Sequence, residues 1–394
     1  MTRLSFAFAL LLIAPSVSAA QGAPDTTKSP WTIEGRLRVG MEYDGNVFRL
    51  PDSRLPELES PSIAQRTSGR YARMESGADN ILRTRLEGVI EGPGLTGRPL
   101  RVNPALTYER YGVNSERSNV ALALEVEQDL RRGRQLQLKA DFVPSYFHRN
   151  YLADAFDADL DLSIQGAERI YQRGDYRELE LRADYQHRLL DSKRDQPWRI
   201  YAIVGVGLSD RTYEAPFTAR DHAGPTFRAR MRVEPRRTIS LLTTYDLALL
   251  SSPVRNQVVL IDELLFGEDL NANATTTDEN VRVVAPVDRS RTEHVLEQRL
   301  TMAVSERLEV VGLVAYRWRR FLSEERFDIA NRDRTDNRLE VGATAEYRLR
   351  RGVRLFGGAS YAAQRLNQIE DLGGEGTVDD YTRTQAHLGL RLSR

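Results

Sequence analysis

The residues able to do metal, acid–base or nucleophilic chemistry are few and widely spaced in this chain. There is no cysteine, and the five histidines stand at 148, 187, 222, 294 and 387, so no two have the spacing of a metal-ligand pair. His222 follows Asp221 but has no evident partner serine, and Ser360, in "GASYAAQ", lacks the glycine pattern of a nucleophile elbow. We therefore expect no enzyme, no resident metal and no cofactor.

One acidic stretch has part of the spacing of a calcium loop. Five oxygen-bearing side chains fall at its ligand positions: Asp157, Asp159, Asp161, Ser163 and Glu168. The sharp turn of such a loop needs a glycine, but Leu162 stands at that position. Apolar residues also alternate with the acids, so a strand that extends beyond a membrane explains the stretch equally well. We predict no metal site here.

Charge at alternate positions is the strongest chemical signal. The 394 residues contain 56 Lys and Arg against 56 Asp and Glu, and only three are lysines. A balanced charge gives no basis for a nucleic-acid partner, which usually shows as a basic excess. Charged residues instead recur on one phase of alternating segments: Arg36, Arg38, Arg83, Arg85, Glu125, Glu127, Glu180, Arg228, Arg230, Arg232, Arg383 and Arg391.

These charges, interpreted as lining a lumen, allow two hypotheses that the sequence leaves open. They pair across the wall of a closed sheet and make it rigid, or they set up a transverse field that orients a polar solute, as rings of charge do in pores. A small excess of arginine predicts weak anion selectivity. On that hypothesis, replacing Arg228, Arg230 and Arg232 by glutamine shifts selectivity toward cations.

Long strands with one apolar face would position these charges. From Trp31 to Tyr43, apolar residues or glycine occupy the odd positions, and an aromatic residue stands at each end. Twelve steps of about 3.3 Å, tilted by about 40°, give a height of about 30 Å, which matches the apolar core of a bilayer. Fourteen such segments recur, at 31–43, 82–90, 100–108, 120–130, 136–146, 176–189, 198–208, 227–233, 239–249, 296–304, 308–318, 339–349, 353–361 and 386–392.

The connections between these segments alternate in length. Short turns separate most pairs, and longer polar loops are expected at 44–77, 148–175, 209–224, 250–288, 319–336 and 366–380. A soluble β-sandwich also alternates, but it rarely repeats strands this long. Membrane strands must pair every backbone group, so their sheet must close. The pattern predicts an all-β, transmembrane antiparallel β-barrel of about 14 strands in the bacterial outer membrane, surrounded by lipid and assembled by the barrel-insertion machinery.

The first thirty residues differ from the rest. A short positive start, the apolar run "LSFAFALLLIAPSV" and a small-residue site ending at Ala20 predict a secretory signal peptide over 1–20. Residues 21–30, "QGAPDTTKSP", are polar and are expected to form a periplasmic leader. The barrel is then expected to occupy 31–394.

The end of the first strand carries a recognisable run, "YDGNVFR", from Tyr43 to Arg49. This Tyr-Asp-x-Asn-Val run resembles that of the β-barrel porin families of Gram-negative bacteria and, more distantly, the run that opens the fourteen-stranded barrel of surface-lipoprotein assembly modifiers. The resemblance implies an outer-membrane barrel. Locally, Asp44, Gly45 and Asn46 are expected to form a turn through side-chain-to-backbone hydrogen bonds and a permissive glycine.

Two functions fit this barrel. The first is a porin-like channel or an export-associated pore for small polar or anionic solutes, with polysaccharide- or protein-export partners in the export version. The alternative is a surface assembly or adhesion scaffold, or a surface-lipoprotein translocator, with a closed lumen. Fourteen strands predict a narrow or partly plugged pore, because eight fill with side chains and 16–18 leave an aqueous channel.

Overall fold

Most of the chain after residue 30 has a defined structure. The computed structural model describes residues 31–61, 69, 71–94, 97–131, 133–152, 171–191, 198–261, 281–328, 331–367 and 380–393. The predicted signal peptide, the predicted leader and the acidic stretch 157–168 lie outside these residues. Across the described ranges, no helix is long and apolar enough to cross a membrane.

Fourteen of the described strands close into one antiparallel barrel, in which β1 pairs with β16 and β9 pairs with β12. The predicted fold and its count of 14 barrel strands are therefore confirmed. The strands are β1 (Thr32–Asp44), β2 (Asp79–Pro93), β3 (Pro99–Tyr111), β4 (Asn119–Arg131), β5 (Arg134–Leu152), β6 (Tyr171–Asp191), β7 (Arg199–Tyr213), β8 (His222–Arg236), β9 (Ile239–Leu250), β10 (Arg255–Ile261), β11 (Val281–Val287), β12 (Arg291–Ala303), β13 (Leu308–Phe321), β14 (Thr335–Arg350), β15 (Val353–Asn367) and β16 (Tyr381–Ser393).

The outer surface of the barrel is apolar and bounded by aromatic residues. Along β7, the alternate residues Val204, Val206 and Leu208 are each 58% exposed, as residues are when they face outward from a closed sheet. Exposed aromatic residues stand near both ends of the strands: Trp31, Trp198 and Tyr347 at one end, and Tyr43, Tyr108, Phe227, Tyr245, Tyr316, Trp318 and Tyr361 at the other. An apolar band between two aromatic girdles faces lipid, and the protein is a barrel of the bacterial outer membrane.

The two ends of the barrel differ in their connections. β2–β3, β4–β5, β6–β7, β8–β9, β12–β13 and β14–β15 are joined by short turns, and both β1 and β16 have their chain-terminal ends on that side. In outer-membrane barrels, short turns are periplasmic and long loops are external. We therefore call the short-turn end the periplasmic end and the other the external end.

The external ends of several strands extend further than the sequence pattern predicted. The predicted loop 209–224 shrinks to 214–221, and β6 has 21 residues. Tyr146 and Tyr176 stand on the apolar phase of the predicted segments 136–146 and 176–189, which would face lipid, but both face inward and their ring centroids lie 5.3 Å apart. Register shifts in β5, between Val143 and Tyr146, change the phase there, and a period-two pattern cannot include such bulges.

The predicted loop 250–288 contains a second sheet. β10 and β11 pair with each other in a two-stranded hairpin that is separate from the barrel. The hairpin was missed because its two runs, "VVLI" and "VRVV", are short and lack alternation.

The first external connection, between β1 and β2, folds back into the barrel mouth. Val47, Phe48 and Leu50 pack against the inward-facing side chains of Ile81 and Tyr111, and all five are buried. This connection carries a short 3₁₀ turn (Asp52–Arg54) and the helix α1 (Leu55–Glu59); further 3₁₀ turns lie at Ser115–Arg117 and Phe217–Arg220. A loop with its own apolar core holds a fixed position, so it narrows the external mouth.

Candidate functional site: the charged lumen

Three cavities follow one another along the inside of the barrel. The outer cavity measures about 880 Å³, the middle one about 790 Å³ and the inner one about 380 Å³. Arg49 lines both the outer and the middle cavity, whereas Arg38, Arg354 and Arg391 line both the middle and the inner one. Because neighbouring cavities share lining residues, they lie next to one another in a series from the external mouth toward the periplasmic end.

Each cavity is lined by more basic than acidic side chains. Among the described residues, thirteen Lys and Arg against seven Asp and Glu line the outer cavity, seven against five the middle one, and five against two the inner one. The chain as a whole carries equal numbers of basic and acidic residues, whereas the residues that line these cavities carry a net positive charge. Low-dielectric walls strengthen the field of such charges on a solute inside.

The structure brings together eight of the twelve residues predicted to line the lumen. Arg36, Arg38, Arg85 and Arg391 line the inner cavity; Arg83 and Arg383 join Arg38 and Arg391 at the middle one; Glu180 and Arg228 line the outer one. Glu125, Glu127, Arg230 and Arg232 line none of the three cavities. Their role as lumen charges stays a prediction.

Inward-facing charges on β1, β2 and β3 form ion pairs. Toward the periplasmic end, Arg36 lies 3.1 Å from Glu34 and 3.2 Å from Glu87. Toward the external end, Arg83 bridges Glu42 at 2.8 Å and Glu109 at 2.7 Å. The contacts with Glu87, Glu42 and Glu109 join adjacent strands, so they tie the wall together along its circumference. This is the arrangement that the first hypothesis, a rigid wall of ion pairs, predicts.

The arginines of β8 are also paired. Arg228 holds Asp246 through two nitrogens, one of them at 2.6 Å, and Arg232 lies 3.3 Å from Glu234. Arg230 is 3.9 Å from Asp184. Two of these carboxylates are shared, because Asp184 also lies 3.3 Å from Arg182 and Glu234 lies 3.9 Å from Arg199. Pairing nevertheless reduces the net charge that this row presents to a solute.

Arg38 and Arg49 differ from these wall arginines. Within the described part of the chain, neither has a carboxylate within ion-pair distance. The guanidinium carbon of Arg38 lies 3.8 Å above the centre of the Phe356 ring, a cation–π contact that leaves its charge uncompensated. Arg49 is exposed to cavity water yet enclosed by the barrel, and this enclosure, together with Arg383 and Arg338, lowers its pKa.

The "YDGNVFR" run explains how Arg49 reaches the lumen. The backbone N–H of Asn46 donates to Asp44 at 3.0 Å, so the predicted side-chain-to-backbone turn is confirmed. The Asn46 amide then binds both the N–H and the carbonyl of Leu50, at 2.9 and 2.8 Å. Contrary to the prediction, the left-handed residue is not Gly45 but Arg49, at φ 52°. A non-glycine residue in this region is strained and frequently functional.

Sequence reasoning missed a group of arginines around Glu293, near the external ends of β12 and β13. The Glu293 carboxylate lies 2.6 Å from Arg319, 3.2 Å from Arg317 and 4.0 Å from Arg291. We call these four residues the Glu293 cluster. All four line the outer cavity. The signal was present in "YRWRRF", where Arg317 and Arg319 alternate with the outward-facing Tyr316 and Trp318.

The connections around this cluster are fixed by a buried carboxylate. Asp328 accepts a hydrogen bond from the backbone N–H of Asp288 at 2.9 Å and from the Asn331 amide at 2.8 Å. Burial raises the pKa of Asp328. The same segment carries Arg289, and burial together with Arg220 lowers the pKa of Arg289 to about 9.

The aromatic residues at the external mouth are already occupied. The ring faces of Tyr176 and Tyr151 are covered by Arg211 and Arg220, at 4.4 and 3.7 Å from the ring centres. Tyr213 packs 5.2 Å from Tyr176. These tyrosines are all at least nine-tenths buried, so they support arginines and offer no open face to a ligand.

Two histidines toward the external end make well-defined contacts. His222 Nε2 accepts from Arg291 at 3.2 Å, and its Nδ1 lies 3.3 Å from the Arg220 carbonyl, so both ring nitrogens are engaged. His294 stacks on Trp318 and contacts the Tyr245 hydroxyl at 2.7 Å. Over the described ranges, no group of three or more His, Asp and Glu is placed to hold a metal ion.

Comparisons with known proteins identify no family for this chain. No protein-family model matches the chain, and no curated protein matches it. Among solved structures, it is similar to the outer membrane channel DcaP of Acinetobacter baumannii, with 9% identity, 92% of this chain and 97% of that one covered and a TM-score of 0.41. It is also similar to the anion-selective porin from Comamonas acidovorans, with 11% identity, coverage of 92% of this chain and 99% of that one, and a TM-score of 0.34. For the TodX monoaromatic hydrocarbon channel the identity is 10%, the coverage is 94% of this chain and 90% of that one, and the TM-score is 0.42. No solute follows from similarities this low.

Proposed function

We propose that the protein is a porin-like channel for small polar solutes, with a preference for anions. The observation that carries the proposal is the series of three cavities, each with an excess of basic side chains and each sharing residues with the next. A solute moving along this series meets positive charge at every stage. Anions are therefore concentrated in the lumen and cations are depleted.

Arg38 and Arg49 are the residues to which we assign most of this preference. They stand where two cavities meet, and neither is neutralised by a carboxylate within the described residues. Arginine keeps its charge across the whole physiological pH range. Their effect on permeating ions should therefore exceed that of the paired wall arginines.

Planar-bilayer recording tests the proposal. The native protein should show single channels, and its reversal potential in a salt gradient should have the sign of anion preference. Arg38→Gln with Arg49→Gln should shift that potential toward cations. The matched control is Arg101→Gln with Arg232→Gln, which removes two inward-facing charges that line none of the three cavities. An equal shift in the control would refute the assignment to Arg38 and Arg49.

A closed-lumen scaffold or translocator is the second candidate. It is favoured by the inward fold of the first connection, whose buried Phe48 and Leu58 occupy the mouth. The same recording separates the two functions, because a closed scaffold gives no channels. The export-associated version, with a polysaccharide or protein partner, requires a polymer to enter the lumen, so an added polymer should interrupt the current.

A further inference from the structure

The Glu293 cluster holds three cations around one anion. Arg319 and Arg317 both bond to Glu293, and Arg291 reaches it only at 4.0 Å. The Nε of Arg291 is buried and has no hydrogen-bond partner among the described residues. A buried donor without an acceptor costs free energy, and a shared carboxylate satisfies only part of three guanidinium forks. The cluster therefore has both charge and hydrogen-bonding capacity left for a ligand.

Neighbouring carboxylates do not make up this deficit. Asp336 is held by Arg334 at 2.8 Å, and Glu340 is held by Arg338 at 2.6 Å. Arg211, Arg338 and Arg49 are further cations whose fields reach Arg291 or Arg317, whereas the field of Asp336 reaches Arg319. The cluster is thus the centre of a larger positive region on this side of the outer cavity.

Three of the seven acids of this cavity, Asp141, Glu178 and Glu180, lie on β5 and β6, away from the Glu293 cluster. Glu178 is itself held by Arg211 at 2.6 Å. A solute with a negatively charged end is attracted to the cluster, because three cations surround one anion there.

The geometry favours an anion with several oxygens over a halide. Guanidinium groups are planar forks that match carboxylate and phosphate oxygens two at a time. Arg291 and Arg317 stand on different strands, so a ligand that satisfies both needs acceptors pointing in different directions. The cavity of about 880 Å³ is of the size that holds small metabolites.

The same surroundings argue against recognition of a sugar ring. Stacking on a pyranose needs an open aromatic face, but Arg211 and Arg220 already cover the faces of Tyr176 and Tyr151. Recognition at this site therefore depends on negative charge.

We propose that the Glu293 cluster is a binding site for small multivalent oxyanions, phosphoryl compounds or di- and tricarboxylates, in the outer cavity. The site deepens the proposed channel function and rests on the solute path described for it. It would hold the anionic end of a solute before passage toward Arg49.

The first experiment measures block of chloride current through the native channel by inorganic pyrophosphate and, separately, by citrate, each added on the external side. Either anion should interrupt the current at concentrations at which chloride alone has no such effect. Arg291→Gln with Arg317→Gln should weaken the block about tenfold or more, because two charge-assisted contacts are lost. This pair leaves Arg319 on Glu293 at 2.6 Å, so the carboxylate keeps a partner. The control Arg101→Gln with Arg232→Gln should leave the block unchanged.

Glu293→Gln should have the opposite effect on block of the current by pyrophosphate. Removing the single competing carboxylate should tighten pyrophosphate block several-fold, a gain that a purely structural ion pair would not produce. Block by pyrophosphate alone would fix the ligand class as phosphoryl compounds, and block by citrate alone as carboxylates. No block by either anion, or equal loss in the control, would overturn the site.

Titration calorimetry of the refolded protein in detergent separates this proposal from the channel itself. Pyrophosphate binding that is lost in the Arg291, Arg317 variant supports the site even if no current is found, in which case only the channel function fails. An anion-selective channel that neither binds nor is blocked by pyrophosphate and citrate retains the proposed function and overturns the site alone.

Discussion

Two rows of inward-facing arginines, one on β8 and one on β13, have the same spacing and different electrostatics. On β8, Arg228, Arg230 and Arg232 contact Asp246, Asp184 and Glu234 in turn, and two of these acids are shared, Asp184 with Arg182 and Glu234 with Arg199. On β13, Arg317 and Arg319 share Glu293 with Arg291 of β12. The spacing fixes which way a side chain points. The number of carboxylates on neighbouring strands decides whether its charge is available to a solute.

This difference suggests distinct roles for the two regions. The β8 row has three carboxylates within ion-pair distance, whereas the arginines of the Glu293 cluster have one between them. We therefore expect the β8 row to act mainly in pairing along the wall and the Glu293 cluster to present more positive charge to a solute. Wall pairing and a transverse field both stay predictions.

Removal of the shared carboxylate should have the largest effect on stability. Glu293→Gln leaves three guanidiniums together without compensation and should lower the free energy of unfolding by about 3–5 kcal/mol. Asp246→Asn leaves only Arg228 without its carboxylate and should lower the free energy of unfolding by about 1.5–3 kcal/mol. Urea titrations of the refolded barrels measure both. Pyrophosphate should restore more stability to the Glu293 variant, because an anion that binds the folded state stabilises it.

The reverse order, or equal losses in the two variants, would mean that the two rows are paired to the same degree. Absence of any pyrophosphate effect on the Glu293 variant would argue that the cluster is closed to anions.

A charge placed on the lipid-facing side of the barrel should have the next largest effect on stability. Val204→Arg puts a charge into the lipid band and should cost about 2–4 kcal/mol. Thr107 faces inward, where the Arg85 guanidinium donates to its hydroxyl at 3.2 Å, so Thr107→Arg stays in a polar lumen and should cost much less. Refolding titrations in lipid compare the two. Similar losses would show that the strand register is wrong.

The smallest effect is expected from neutralising a whole pair on β8. Arg228→Gln with Asp246→Asn removes one charge of each sign and should leave the reversal potential of the channel unchanged. Replacing Arg228, Arg230 and Arg232 alone uncovers three carboxylates, so a shift toward cations in that triple variant would not show that the arginines were free. A clear shift in the pair variant would show that Arg228 contributes unpaired charge.

The fold was predictable from the sequence because a bilayer imposes a simple rule. Each barrel strand must be long, alternating and apolar on one side, and segments such as Trp31 to Tyr43 show this pattern in the sequence. Outside the bilayer the rule no longer applies. The external ends of β5 and β6 carry bulges and inward-facing tyrosines, and β10 and β11 pair in a sheet separate from the barrel.

The site was predictable only in part, for the same reason. Phase alone placed Arg36, Arg38 and Arg85 at the inner cavity, and it could also have found Arg317 and Arg319. The position of Arg49 could not be predicted from the sequence, because it depends on the path of a connection that folds inward on Asn46 and Phe48. The ion pairs could not be predicted either, because they depend on the register between neighbouring strands.

The reversal potential of the native channel in a potassium chloride gradient tests the central claim most directly. The excess of basic side chains in all three cavities predicts a potential displaced toward that of chloride. A potential displaced toward that of potassium, or a refolded barrel that inserts and shows no channels at all, would contradict the account of an arginine-lined anion path.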